Sequence, residues 1–117
     1  MKAIIELGYR GDALAQARHD LAMAQTGADV DYHLVFESAR TLFSELTPAR
    51  IDTLDFLRLH GPMSIYALAK DLKRNYSNVH ADVEKLLEHG LVEKDADNLI
   101  SAPWDAIEIR MAQAKVA

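Results

Sequence analysis

Apolar residues recur along this chain with two different periods, and the switches between them divide it into elements. Ala3, Ile4, Ile5 and Leu7 form a short apolar run that stops at Gly8, which predicts a strand. Over residues 12–25, Leu14, Ala17, Leu21 and Ala24 fall at helical spacing, and Gly27 follows as a stop, so a helix is expected. Residues 29–31 are mostly polar. Tyr32, Leu34 and Phe36 then share one side of a run rich in strand formers, predicting a second strand. Ser38 is placed to cap a short helix that would carry Ala39, Leu42, Phe43 and Leu46 on one face.

The pattern restarts at Thr47-Pro48. Threonine is a good N-cap, and proline suits the first helical position because its missing N–H has no intrahelical partner there. Ile51, Leu54 and Leu57 mark the buried face of a helix reaching His60, where Gly61-Pro62 ends it. Ser64 caps the next helix, in which Ile65, Leu68, Ala69 and Leu72 share one face. The polar turn Lys73-Arg74-Asn75 leads into a third helix over 75–89, with Tyr76, Val79, Val83, Leu86 and Leu87 as its apolar face and Gly90 at its end. Leu91-Val92 opens a strand, Asp95-Ala96-Asp97-Asn98 signals a turn, and Leu99-Ile100 returns. Trp104 is expected to plug the core beside this hairpin, and Ile107-Glu108-Ile109 predicts a final strand.

Three helices followed by a hairpin is the layout of a winged helix-turn-helix. The expected fold is therefore α/β: a winged helix-turn-helix with an N-terminal strand-helix-strand extension. Residues 1–46 would form a dimer or partner interface, 47–111 the DNA-binding domain, and 112–117 a frayed tail. In such a fold the helix after the turn enters the major groove N-terminus first, and polar side chains near its start read base edges. Removing its apolar face leaves Ser77, Asn78, His80, Ala81 and Glu84 outward. Asn78 can make paired hydrogen bonds to adenine, and Ser77 and His80 can donate to bases or phosphates. Lys73, Arg74 and Lys85 are placed to hold phosphates, and Lys94 on the wing could touch a neighbouring one. Ser64 and Asn75, at the starts of the two helices, and Tyr76, whose hydroxyl can reach a phosphate while its ring packs, complete the candidate set.

Composition narrows the alternatives. The 117 residues suit one compact domain, and the net charge of −5 predicts weak non-specific attraction to nucleic acid. The charge is uneven, however: Lys70, Lys73 and Arg74 lie together with Asp71 alone to offset them, and a local patch is what a phosphate feels. There is no cysteine, which removes disulfides and thiolate chemistry and fits a cytoplasmic protein. No apolar run is long enough for a bilayer, and no signal-peptide pattern is present. His19, His33, His60, His80 and His89 are scattered without ligand spacing, so neither metal nor other cofactor is expected. His80 and Asp82 stand two apart and face differently on a helix, which excludes a catalytic pair. Asp82 is expected to make a structural contact or to face solvent. Without a glycine-rich phosphate loop, nucleophile elbow or carboxylate pair, the chain does not read as an enzyme.

Leu46-Thr47-Pro48-Ala49-Arg50, His60-Gly61-Pro62-Met63-Ser64-Ile65, Asn78-Val79-His80-Ala81-Asp82-Val83 and Leu91-Val92-Glu93-Lys94-Asp95 together resemble a family of small MarR-like winged-helix proteins. The resemblance runs from about Phe36 to Ile109. It implies a prokaryotic transcriptional regulator without a cofactor that binds double-stranded DNA as a homodimer and represses its own promoter. Some members look like antitoxins that also bind a toxin encoded nearby, so a protein-neutralising role is the alternative. The resemblance carries DNA contact to Tyr76, Asn78 and His80. This chain departs from it at Ser77 and Ala81, where relatives tend to be basic.

Overall fold

The computed structural model describes residues 1–8 and 30–111; the helix expected over 12–25 and the tail 112–117 lie outside the described residues. The chain is mixed α/β. In order, the described elements are β1 (Lys2–Leu7), β2 (Tyr32–Phe36), α1 (Ala39–Glu45), α2 (Pro48–His60), α3 (Ile65–Leu72), α4 (Tyr76–Glu88), β3 (Glu93–Lys94), β4 (Ile100–Ser101) and β5 (Ala106–Arg110). They fall into two compact units, one of Met1–Ser44 with Trp104–Ala117 and one of Glu45–Pro103.

The first unit is built on a parallel sheet in the order β2-β1-β5. Its register places Tyr32, Leu34 and Phe36 level with Ala3, Ile5 and Leu7, and Ile107 and Ile109 level with Ala3 and Ile5. Side chains alternate across a strand, so these residues share one apolar face, and Ala3 and Ile5 at its centre are buried. The opposite face buries Ile4 and carries charged residues around it. His33 Nδ1 lies 2.8 Å from Glu6 Oε1, Lys2 Nζ donates to Glu108 at 3.4 Å and Arg110 donates to Glu108 at 2.8 Å. The Arg110 hydrogen bond, then that of Lys2, holds the Glu108 carboxyl below its usual range. Trp104 stacks on Tyr32 with ring centroids 5.6 Å apart.

This sheet departs from the sequence expectation in two ways. Residues 104–111 were expected to close the helix-hairpin domain, yet β5 hydrogen-bonds to β1, so the second unit ends at Pro103. Trp104 accordingly belongs to the first unit, where it stacks on Tyr32, and not to the unit that holds the hairpin. Parallel pairing needs a long crossover, and sequence spacing does not reveal which strand receives a distant one.

The second unit follows its local signals closely. Thr47 Oγ1 accepts from Arg50 N at 3.3 Å and Ser64 Oγ from Ala67 N at 3.1 Å, so both expected N-caps form. Leu54, Leu57, Leu68, Val79, Val83, Leu86, Leu91 and Ile100 make a closed apolar core. Between α2 and α3, Met63 pairs with Ile100 through two backbone hydrogen bonds of 3.0 and 2.8 Å, which adds an extended residue beside the β3-β4 hairpin. The hairpin itself is short. Leu91 and Val92 are buried, and the strand pairing begins at Glu93. The Asp95 carboxylate closes the turn by accepting from Asp97 N and Leu99 N, with Asn98 at φ 62°.

Two apolar residues lie outside the faces assigned to them. Phe43 is 54% exposed, because α1 has only seven residues and buries Leu42 alone. Tyr76 is 49% exposed, because it is the first residue of α4, one turn beyond the packed stripe that starts at Val79.

Gly61 ends α2 at φ 76° and ψ −170°, a region that only glycine enters freely. Its N–H still reaches Leu57 O at 3.1 Å, and a Cβ there would meet nothing within 4 Å. Gly61→Ala is therefore expected to destabilise through the backbone alone, by about 1–3 kcal/mol. A urea midpoint lowered without a change in slope would show it; an unchanged midpoint would contradict the assigned conformation.

Candidate nucleic-acid interface

The α3–α4 turn is made by one left-handed residue. Lys73 adopts φ 55° and ψ 45°, its N–H reaches Lys70 O at 3.1 Å, and Arg74 N reaches Ala69 O at 3.0 Å. Asn75 then caps α4, its side-chain oxygen accepting from Ser77 N at 2.9 Å and Asn78 N at 3.3 Å. Asparagine caps well because that oxygen satisfies donors that the helix itself leaves unpaired. The α4 stripe Val79, Val83 and Leu86 is buried, so the other side of the same helix turns outward.

That outward side gathers most of the residues singled out from sequence. Asn75, Tyr76, Ser77, Asn78 and Ala81 are exposed, and His80 is partly so. The Tyr76 and His80 rings lie 5.9 Å apart, and His80 Nε2 is 3.8 Å from Glu84. Ser64 caps α3, and Lys94 stands on the hairpin among the exposed acids Glu93, Asp95 and Asp97. Tyr66 on α3, 69% exposed, was not singled out from sequence.

The cations divide into paired and unpaired. Lys85 binds Glu88 at 3.3 Å on its own helix. Arg74 turns inward: its Nη2 donates to Asp82 Oδ2 at 2.8 Å and its Nη1 to Thr53 Oγ1 at 3.3 Å. The other Asp82 oxygen accepts from Arg50 Nε at 3.1 Å, and Arg50 Nη1 donates to Glu45 O at 2.9 Å. Thr53, fully buried, donates its own hydroxyl to Ala49 O at 2.8 Å. Beyond this chain, Glu45 Oε2 lies 3.1 Å from His89 Nε2, and that hydrogen bond holds the Glu45 carboxyl below its usual range. Lys70, Lys73 and Lys94 have no ion pair among the described residues.

Arg74 is thus drawn into the fold, away from the phosphate-holding position expected of it. The signal for this was present in the sequence. Asp82 follows Val79 by three residues and precedes Leu86 by four, so it belongs to the packed stripe, and a carboxylate there requires cationic partners. Arg50 and Thr53 could not be matched to it from spacing, because they arrive from a separate helix. No group of His, Cys, Asp or Glu among the described residues could hold a metal ion, and no described helix is long and apolar enough to cross a membrane.

A family model, HVO_A0114, matches residues 45–109, more than half of the 117-residue chain. The chain belongs to the HVO_A0114 family. The match begins where the second unit begins and continues through most of β5. No curated protein matches the chain. In this HVO_A0114 member the unit Glu45–Pro103 carries seven basic and ten acidic side chains, a net charge of −3. Pairing Arg74 internally leaves the exposed face less basic than the sequence suggests.

Asp82→Ala would leave two guanidinium groups, only 19% and 30% exposed, without their counter-charge. Such a loss is expected to cost about 2–3 kcal/mol, below the range for fully buried pairs because Arg74 keeps some solvent. Glu84→Ala, which removes an exposed acid from the same helix, is expected to cost under about 0.5 kcal/mol. Equal denaturation midpoints for the two variants would overturn the assignment of Asp82 as the buried partner.

Proposed function

We propose that residues 45–103 form a winged helix-turn-helix and that the protein is a sequence-specific regulator that binds double-stranded DNA. The observation that carries this reading is the two-sided α4. One side is anchored by Val79, Val83 and Leu86; the other offers Tyr76, Ser77, Asn78 and Ala81 to solvent from the first turns. A B-DNA major groove admits one helix, and side chains near the start of that helix reach the base edges. Met63 pairing with β4 supports the wing, since it ties the α2–α3 connection to the hairpin. Lys70 and Lys73, unpaired at the turn, flank the helix where phosphates would run.

The likeness to MarR-like winged-helix regulators adds the rest of the proposal: a cytoplasmic homodimer, without a cofactor, that represses its own promoter. Two recognition helices in successive major grooves stand about 34–36 Å apart, which favours a palindromic operator. One observation favours a second reading. The acidic balance of the unit, and of the hairpin in particular, suits a partner protein better than a phosphate backbone. In that case the chain neutralises a toxin-like protein encoded nearby, and DNA contact is secondary.

Gel shifts with the duplex upstream of its own gene, over a range of salt, separate these readings. A regulator gives a tight retarded complex whose affinity falls with salt, and an adaptor, with DNA contact secondary, gives only a weak one. Lys73→Ala is expected to weaken binding to all sequences alike and to lower the salt slope by about 0.9 per protomer, one phosphate contact. An unaltered slope would remove Lys73 from the phosphate contacts.

A further inference from the structure

Given the DNA-binding reading above, on which this step rests, we infer that α4 reads A·T base pairs rather than G·C pairs. The inference comes from which side chains its outward face holds free. Guanine is read chiefly by arginine or lysine, whose donors meet O6 and N7. Adenine is read by asparagine or glutamine at N6 and N7, and the thymine methyl is read by apolar contact.

No arginine or lysine is available to guanine on this face. Arg74, the residue nearest the start of α4 that could serve, gives its terminal nitrogens to Asp82 and Thr53. Lys85 stands in the last turn of α4, away from the first turns that reach base edges, and lies 3.3 Å from Glu88. Lys70 and Lys73 precede the helix, one on α3 and one in the turn, where the backbone of the duplex passes. His80 Nε2 lies 3.8 Å from Glu84, too long for a hydrogen bond, and imidazole is not among the bidentate readers of guanine. Glu84, a carboxylate that could accept from cytosine, stands more than two turns into α4, behind the first turns that reach base edges. Ser77 can bond to any base and so does not discriminate.

Two groups remain. Asn78 is exposed, and its side-chain amide has no hydrogen-bond partner among the described residues. Ala81 is exposed three residues further on, on the same side of the helix, and offers a methyl group. Residues at this spacing have Cβ atoms about 5–6 Å apart, which spans one or two base-pair steps of about 3.4 Å. An amide that matches adenine and a methyl that matches thymine therefore face neighbouring pairs. Had Arg74 been free, the same helix would favour guanine at its leading edge.

The test needs no knowledge of the operator. Binding is measured by gel shift to four duplexes of equal length: alternating dA-dT, the same with 7-deazaadenine, the same with uracil for thymine, and alternating dG-dC. The A·T duplex is expected to bind about 5- to 150-fold more tightly than the G·C duplex, the range for one good bidentate contact. The 7-deaza duplex, which lacks the major-groove N7 acceptor, should lose most of that advantage, and the uracil duplex, which lacks the methyl, a smaller part. Asn78→Ala should bind the A·T and 7-deaza duplexes alike. Equal or tighter binding to the G·C duplex overturns the inference while leaving DNA binding intact. So does an A·T preference untouched by 7-deazaadenine, which would place the contact outside the major groove. Failure to bind any of the four at low salt overturns the DNA-binding reading itself, and this inference falls with it.

Discussion

The Asp82 carboxylate is the interaction on which the second unit depends. It sits on the packed side of α4 and takes one hydrogen bond from Arg50 on α2 and another from Arg74 in the α3–α4 turn. Three separate pieces of chain therefore converge on one buried acid. A carboxylate in that position is costly unless paired, and the two guanidiniums, each further bonded to Glu45 O or to Thr53, satisfy it. Apolar packing alone is non-directional: Val79, Val83 and Leu86 would hold α4 against the core without fixing its rotation closely. The directional bonds to Asp82 supply that rotation, and with it the set of side chains that face outward.

The same interaction governs the electrostatics of the surface. A turn written Lys73-Arg74 next to Lys70 reads as a basic cluster when only sequence spacing is considered. Once Arg74 is committed to Asp82, the exposed charge at the turn consists of Lys70 and Lys73, opposed by Asp71. Local rules could not separate these three cations, because the distinction depends on where Thr53 and Arg50 arrive in space. The position of Asp82 within the α4 stripe was nevertheless a readable sign that some nearby cation would be withdrawn.

Legibility follows the range of the interaction throughout the chain. Thr47, Ser64 and Gly61 act on residues within four positions of themselves, and the ends of α2 and α3 fall where those residues predict. The strand Ala106–Arg110 is also where its alternation places it, but its partner lies about a hundred residues away at β1. That pairing carried Trp104 into the first unit and moved the boundary from 111 to 103. Phe43 and Tyr76 show a third kind of limit. Periodicity states which residues share a face, but not how far along the helix that face is covered.

The acidic background of the second unit bears on how such a helix would discriminate. Non-specific binding to duplex DNA is almost wholly phosphate attraction, whereas base-edge contacts add a term that long-range charge changes little. A net charge of −3 with few unpaired cations weakens the first term more than the second. On the proposed reading, total affinity is low for one copy, but the ratio of specific to non-specific binding is raised, and the ratio is what selects a site among many competitors. A second copy restores affinity, because the base-edge terms of two half-sites add while each copy keeps its weak general attraction. Withdrawing Arg74 into the fold is then consistent with the reading: it trades strength on any DNA for a helix whose free groups are Asn78 and Ala81.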